Sequence, residues 1–238
     1  MLKKFSLAML AALSLCGTAG AASTIVSVAG TSNPWLAGMP GGTSAGNGDA
    51  APGQSPVLVT GISFAAGDVL HFSAVGSTDH CDGGGCGLAG AEGDATESTT
   101  FHAAGAQFGL SNLGAPIDAL IAVFLGPAQP DGTPAPAALD FSSAAARDFA
   151  SLSPLLQQVF FIGDGLRDDG VTLQDFVVPV GATRLFLGTM DGYGWFNNVG
   201  SLRVTVSTDD AGTPVPEPGT LALLALGGGL ALRRRRRA

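Results

Sequence analysis

Positive charge is scarce in this chain of 238 residues, which sets 11 Lys and Arg against 19 Asp and Glu. Seven of the basic residues sit at the two ends, so residues 22–213 keep only Arg147, Arg167, Arg184 and Arg203 against 18 acids, a net charge near −14. A body so acidic excludes a nucleic-acid partner, because phosphate binding needs a basic surface. Divalent cations are its natural counter-ions, and Asp is a good oxygen ligand for calcium; acidity also serves solubility alone. Cysteine is nearly as scarce: Cys16 lies in the first apolar stretch, leaving Cys81 and Cys86 in a CDGGGC hexapeptide. A disulfide across those glycines is sterically easy in an oxidising compartment, whereas zinc lacks two further ligands at suitable spacing. Long helical periodicity is absent too. So are a serine elbow, an HExxH helix, a phosphate loop and paired catalytic glutamates, since Glu92 and Glu97 are the body's only glutamates. The chain reads as a non-enzyme; a glycosidase using Asp pairs is the alternative, because such carboxylates need only be close in space.

What is present begins with the ends. Residues 1–21 carry Lys3 and Lys4, an apolar run over 5–16 and then Ala19-Gly20-Ala21, the pattern of a secretory signal peptide cut after Ala21. Residues 214–238 read in three blocks: Pro216-Glu217-Pro218, an uncharged Leu/Ala/Gly run over 220–232, and five arginines at 233–237. Prolines keep the tripeptide extended, and a basic cluster holds to the cytoplasmic face of a membrane. The 13-residue run is ~20 Å as a helix, so it spans a core of roughly 30 Å only with thinning, snorkelling or neighbouring residues. The tail resembles the PEP-CTERM sorting signal of exported Gram-negative proteins. That resemblance implies exosortase as a partner, an inner-membrane-anchored precursor, and delivery to the cell surface or extracellular matrix. An unprocessed C-terminal anchor is the plainer reading.

Between the ends, Val, Phe, Leu and Thr alternate in short runs punctuated by Gly and Pro, an all-β signature. Strands are predicted over 24–29, 57–64, 69–75, 117–125, 158–162, 172–178, 184–189 and 201–207, with one short helix over 142–152 and a long unstructured loop over 76–109. Eight or nine strands in about 190 residues fit a single β-sandwich domain of jelly-roll type over 22–213.

The most informative stretch is 181–206, GATRLFLGTMDGYGWFNNVGSLRVTV. Asp191, Asn197 and Asn198 bring a carboxylate and two amide oxygens within eight residues, the mixture calcium prefers, and the intervening glycines allow a tight loop. The stretch resembles the C-terminal hairpin of calcium-dependent galactose lectins of the PA-IL type, though with a loop one residue shorter. The resemblance implies that Asp191, Asn197 and Asn198 with a carbonyl near Gly194 ligate Ca²⁺, that sugar hydroxyls complete its shell, and that Tyr193 or Trp195 packs on the sugar. It also places a carbonyl ligand near Asp79 or His80, and sets His102 and Gln107 in the region of the sugar contacts. A glycan or exopolysaccharide of a biofilm is then the partner. The rival is a structural envelope protein in which Asp-Gly and Asn-Asn are ordinary hairpin residues. The acidic run over 164–170 lacks the alternation and closing Glu of a calcium loop, so it reads as a solvated turn.

Overall fold

The uninterrupted apolar run Leu120 to Leu125 is buried along its whole length, and alternation within it splits the interior in two. In the computed structural model, which describes residues 22–208, Leu120, Ala122 and Phe124 enter one core while Ile121, Val123 and Leu125 enter another. Successive strand residues face opposite sides of a sheet, so a strand that is apolar at every position needs cover on both faces.

Twelve strands among the described residues provide it. In chain order they are β1 Ser23–Ala29, β2 Val57–Leu58, β3 Val69–Asp79, β4 Asp94–Phe101, β5 Leu113–Ile117, β6 Leu120–Leu125, β7 Leu139–Asp140, β8 Ser151–Leu152, β9 Val159–Phe161, β10 Asp175–Val177, β11 Arg184–Thr189 and β12 Val199–Thr208. A five-stranded sheet runs β1-β12-β3-β10-β8, a four-stranded sheet β2-β11-β6-β9 and a small third sheet β4-β5-β7. The described residues are therefore all-β, with only Ala144–Arg147 among them as an α-helical turn (α1). The first core lies between the two larger sheets: Val28, Leu70, Phe72, Leu202, Val204 and Val206 meet Phe124, Phe160, Leu185 and Leu187. The second core lies on the other face of the four-stranded sheet, under Leu113 and Ala115 of β5 and the turn that carries Trp35.

The third sheet corrects the sequence reading in two places. Residues 76–109 are not one loop: β3 runs on to Asp79, and β4 pairs antiparallel with β5. The stretch 117–125 is not one strand either, because Asp118 takes φ +67° and turns the chain from β5 into β6. The predicted helix over 142–152 shrinks to α1, capped by Ser143 Oγ accepting from Ala146 N at 3.2 Å, and its last residues join β8 instead. Only Val57 and Leu58 of the stretch 57–64 are strand. The predicted signal segment 1–21 and the tail 214–238, with Pro216, Glu217, Pro218 and the 220–232 run, lie outside the described residues. Among the described residues no helix is long and apolar enough to cross a membrane.

The second core also contains a titratable ring. His102 stacks on Trp35 with ring centroids 4.0 Å apart, and its Nδ1 lies 2.9 Å from Gly105 O. Burial lowers its pKa from the ordinary 6.5, and the Gly105 contact opposes this. The folded state thus takes up the proton less readily than the unfolded one. Its contribution is complete above 6.5 and is lost as pH falls through the lowered folded value. In His102→Phe, which keeps a ring on Trp35, the urea midpoint should fall less than in the wild type between pH 6.5 and 5; equal slopes would show that His102 does not carry this dependence.

Candidate functional site

Five strand ends meet at one pole of the sandwich. Asp79 closes β3 opposite Val199, the start of β12, and Thr189 closes β11 opposite Leu120, the start of β6. There β1 gives way to Gly30, whose carbonyl accepts from Thr189 Oγ1 at 2.8 Å and Asn198 Nδ2 at 3.1 Å. A Cβ on Gly30 would lie 2.5 Å from Val199 O, so glycine is what lets the two chains close here.

The loop between β11 and β12 crosses this pole. Asp191 Oδ1 accepts from Tyr193 N at 3.0 Å, Gly194 turns left-handed at φ +85°, and Trp195–Asn197 form one 3₁₀ turn. Gly194 O accepts from Asn197 N at 3.4 Å, and Trp195 O from Asn198 N at 3.2 Å. The turn is fastened by a residue that the sequence reading missed. The buried carboxylate of Asp49 accepts from Phe196 N at 2.9 Å, Trp195 N at 3.3 Å and Asn33 Nδ2 at 3.0 Å. No local motif announces Asp49, since its partners lie 16 and about 146 residues away.

Trp195 is not a surface for a ligand, contrary to the sequence expectation. It is wholly buried in the second core, with Nε1 donating to Thr189 O at 2.9 Å and its ring 5.5 Å from that of Trp35. Packing against Trp35 and His102 overrides its position in a polar loop. The exposed rings are Tyr193 at 61% and Phe196 at 52%, one on either side of it. His102 is likewise core, and Gln107 pairs across a tight turn with Leu110.

The polar atoms of this pole are unusual in what they lack. Asp191 Oδ2, Asn197 Oδ1, Asn198 Oδ1 and Asp118 Oδ1 are buried oxygens without a hydrogen-bond donor. The Asp118 residue is 1% exposed, Asp191 and Asn198 4% each. The other oxygen of Asp118 lies 2.8 Å from His80 Nδ1. Burial raises the pKa of Asp191 above the ordinary carboxylate value, while Tyr193 N–H, the Asn198 amide and His80 pull it back. Burial raises Asp118 as well, against His80, and neighbouring Asp79 adds to the rise. Burial raises Asp49 in the same way; its N–H donors lower it and Asp191 pushes it up again. None of the largest influences on these three carboxylates is an arginine. Carboxylate and amide oxygens without donors, in an acidic setting, are the donor set of a hard divalent cation.

Neighbouring candidates are already employed. Cys81 and Cys86 are joined by a disulfide with Cα atoms 5.6 Å apart. That bond removes the two sulfurs which, with His80, lie within 4.8 Å of one another as a prospective metal group. Asp79 Oδ1 accepts from Cys81 N at 2.8 Å and its Oδ2 from Gly87 N at 2.7 Å, so it orders the disulfide loop. In the acidic run Asp164 Oδ1 accepts from Leu166 N at 2.8 Å, while Asp169 accepts from Val171 N, Thr172 N and Thr172 Oγ1 and is held down to about 2. That stretch is a self-satisfied turn.

An all-β, sandwich-like body with an acid- and amide-lined pole is thus the class that fold and site define. Its address is read from the tail: residues 214–237 match the PEP-CTERM protein-sorting motif. The motif marks an exported protein whose membrane-anchored precursor is processed by exosortase. No curated protein matches the chain.

Removing Asp49 tests how the pole is held. Asp49→Ala strands the amides of Trp195 and Phe196 and the Asn33 side chain, so it should cost about 2–4 kcal/mol in urea unfolding. A loss below about 0.5 kcal/mol would show that the turn is held by Trp195 packing alone.

Proposed function

We propose that the body is a calcium-assisted carbohydrate-binding module of an exported surface or extracellular-matrix protein. Asp191, Asn197 and Asn198 would hold the ion, with a main-chain carbonyl near Gly194. The observation that carries this reading is the group of buried, donor-free oxygens on those three side chains. Leaving a buried polar atom unpaired costs about 1–3 kcal/mol, and a bound cation removes that cost.

Calcium, when bound, supplies positive charge to which neutral hydroxyl oxygens can bind. The chain's own residues do the rest. Asn198 Nδ2 is committed to Gly30 O, which orients its Oδ1 away from that carbonyl, and Asp191 Oδ1 is committed to Tyr193 N, leaving Oδ2 for the ion. Exposed Tyr193 and Phe196 flank the loop and offer apolar surface to a sugar ring. The resemblance to PA-IL-type lectins points the same way, and an exopolysaccharide of a biofilm is the partner it favours.

Thermal melting in EDTA and then in millimolar calcium tests this. At a hundred times its Kd a ligand adds ~2.7 kcal/mol, roughly 5–10 °C for a domain of this size. The doubly substituted Asn197→Ala, Asn198→Ala protein should show no such rise. A melt indifferent to calcium in the wild type would leave a structural matrix protein as the reading. A calcium response without EDTA-sensitive retention on any glycan would remove the carbohydrate half alone.

A further inference from the structure

We infer that Asp118 is a second carboxylate arm of the same cation site, so that the ion is held from two strands and not by the β11–β12 loop alone. This rests on the calcium reading above. Asp118 comes from the β5–β6 junction, and the backbone delivers it to the loop: Asp118 N donates to Met190 O at 2.7 Å, and Met190 N to Ala119 O at 2.8 Å. At the strand ends Asp118 and Ala119 thus both bond to Met190, a bulge-like arrangement immediately before Asp191, and bulges of this kind re-aim side chains.

The first residue of such a bulge takes a left-handed conformation and is ordinarily glycine. Here it is Asp118 at φ +67°, with Ala119 N donating to Pro116 O at 3.3 Å to close the turn. An aspartate at a glycine position, withdrawn from water, is unfavourable twice over for the metal-free fold. Its side chain is half satisfied: Oδ2 faces His80 Nδ1 at 2.8 Å while the buried Oδ1 has no donor. His80 acts electrostatically on Asp191 as it does on Asp118. Two carboxylates and two amide oxygens form a set of charge and hardness suited to calcium, and a second negative charge favours a divalent over a monovalent ion.

Calcium titration calorimetry on the exported, processed protein tests the assignment with two variants, Asp118→Asn and Asp118→Gly. Both should bind calcium at least tenfold more weakly, while Asp118→Gly, relieved of strain and buried charge, should melt in EDTA no lower than the wild type. If Asp118→Asn does not fold, Asp118→Gly carries the test, because glycine suits that backbone. Wild-type binding with less than a tenfold change in the variants overturns the role of Asp118 and leaves the calcium reading standing. An Asp118→Gly protein that melts clearly below the wild type in EDTA makes Asp118 a structural acid that holds His80, and also overturns it. A wild type that binds no calcium removes both.

Discussion

Four carboxylates, those of Asp49, Asp79, Asp118 and Asp191, are withdrawn from water at one end of this sandwich. Burying a carboxylate is unfavourable unless it is paired or fully hydrogen-bonded. Two of the four meet that condition through main-chain amides. Asp49 holds the 3₁₀ turn of the β11–β12 loop, and Asp79 holds the disulfide loop. The other two do not, and each retains an oxygen without a donor. The satisfied pair builds the pole, and the unsatisfied pair is where the proposed cation site lies.

That division depends on the layers beneath. Because β6 is apolar on both faces, the four-stranded sheet needs a second cover, which β5, the Trp35 turn and Trp195 supply. Covering it brings the Asp49 segment over the pole, and the chain must turn at Asp118 to pass from the third sheet into β6. Trp195 then anchors the loop from below while Tyr193 and Phe196 point to solvent. One short turn thereby separates an inward ring from two outward ones.

The legible parts of this fold were those with a local cause. β11 was read to the residue because its apolar run ends in Met-Asp-Gly, and most of β12 was read as 201–207 because Leu202, Val204 and Val206 alternate with polar residues. The loop of Asp191, Asn197 and Asn198 was legible because its oxygens lie within eight residues. β4 was missed because its sequence, DATESTTF, is polar up to Phe101 and shows no apolar alternation, and it lies at the edge of its sheet beside β5. The burial of Trp195 was missed because its partners, Trp35 and His102, are distant in sequence. Asp49 had no local signal at all, and Asp118 showed only as the polar break in the apolar run 117–125, since each matters through chain that arrives from elsewhere.

Backbone strain offers a way to recognise such residues once the fold is known. Among the described residues three non-glycine residues have positive φ: Phe108, Asp118 and Gln157. Phe108 packs against the small cluster of Leu36, Ala45 and Ala51. Gln157 donates through Nε2 to Gly109 O and Pro130 O and accepts from Thr133 Oγ1, closing three segments together. In both, what the side chain gains in the fold explains the conformation. Asp118 has its His80 contacts but keeps a buried oxygen without a donor, so its side chain gains less from the fold than the other two. Residues that break a local rule without an internal return are where function is to be sought. Here that residue stands one bulge away from a loop singled out on independent grounds.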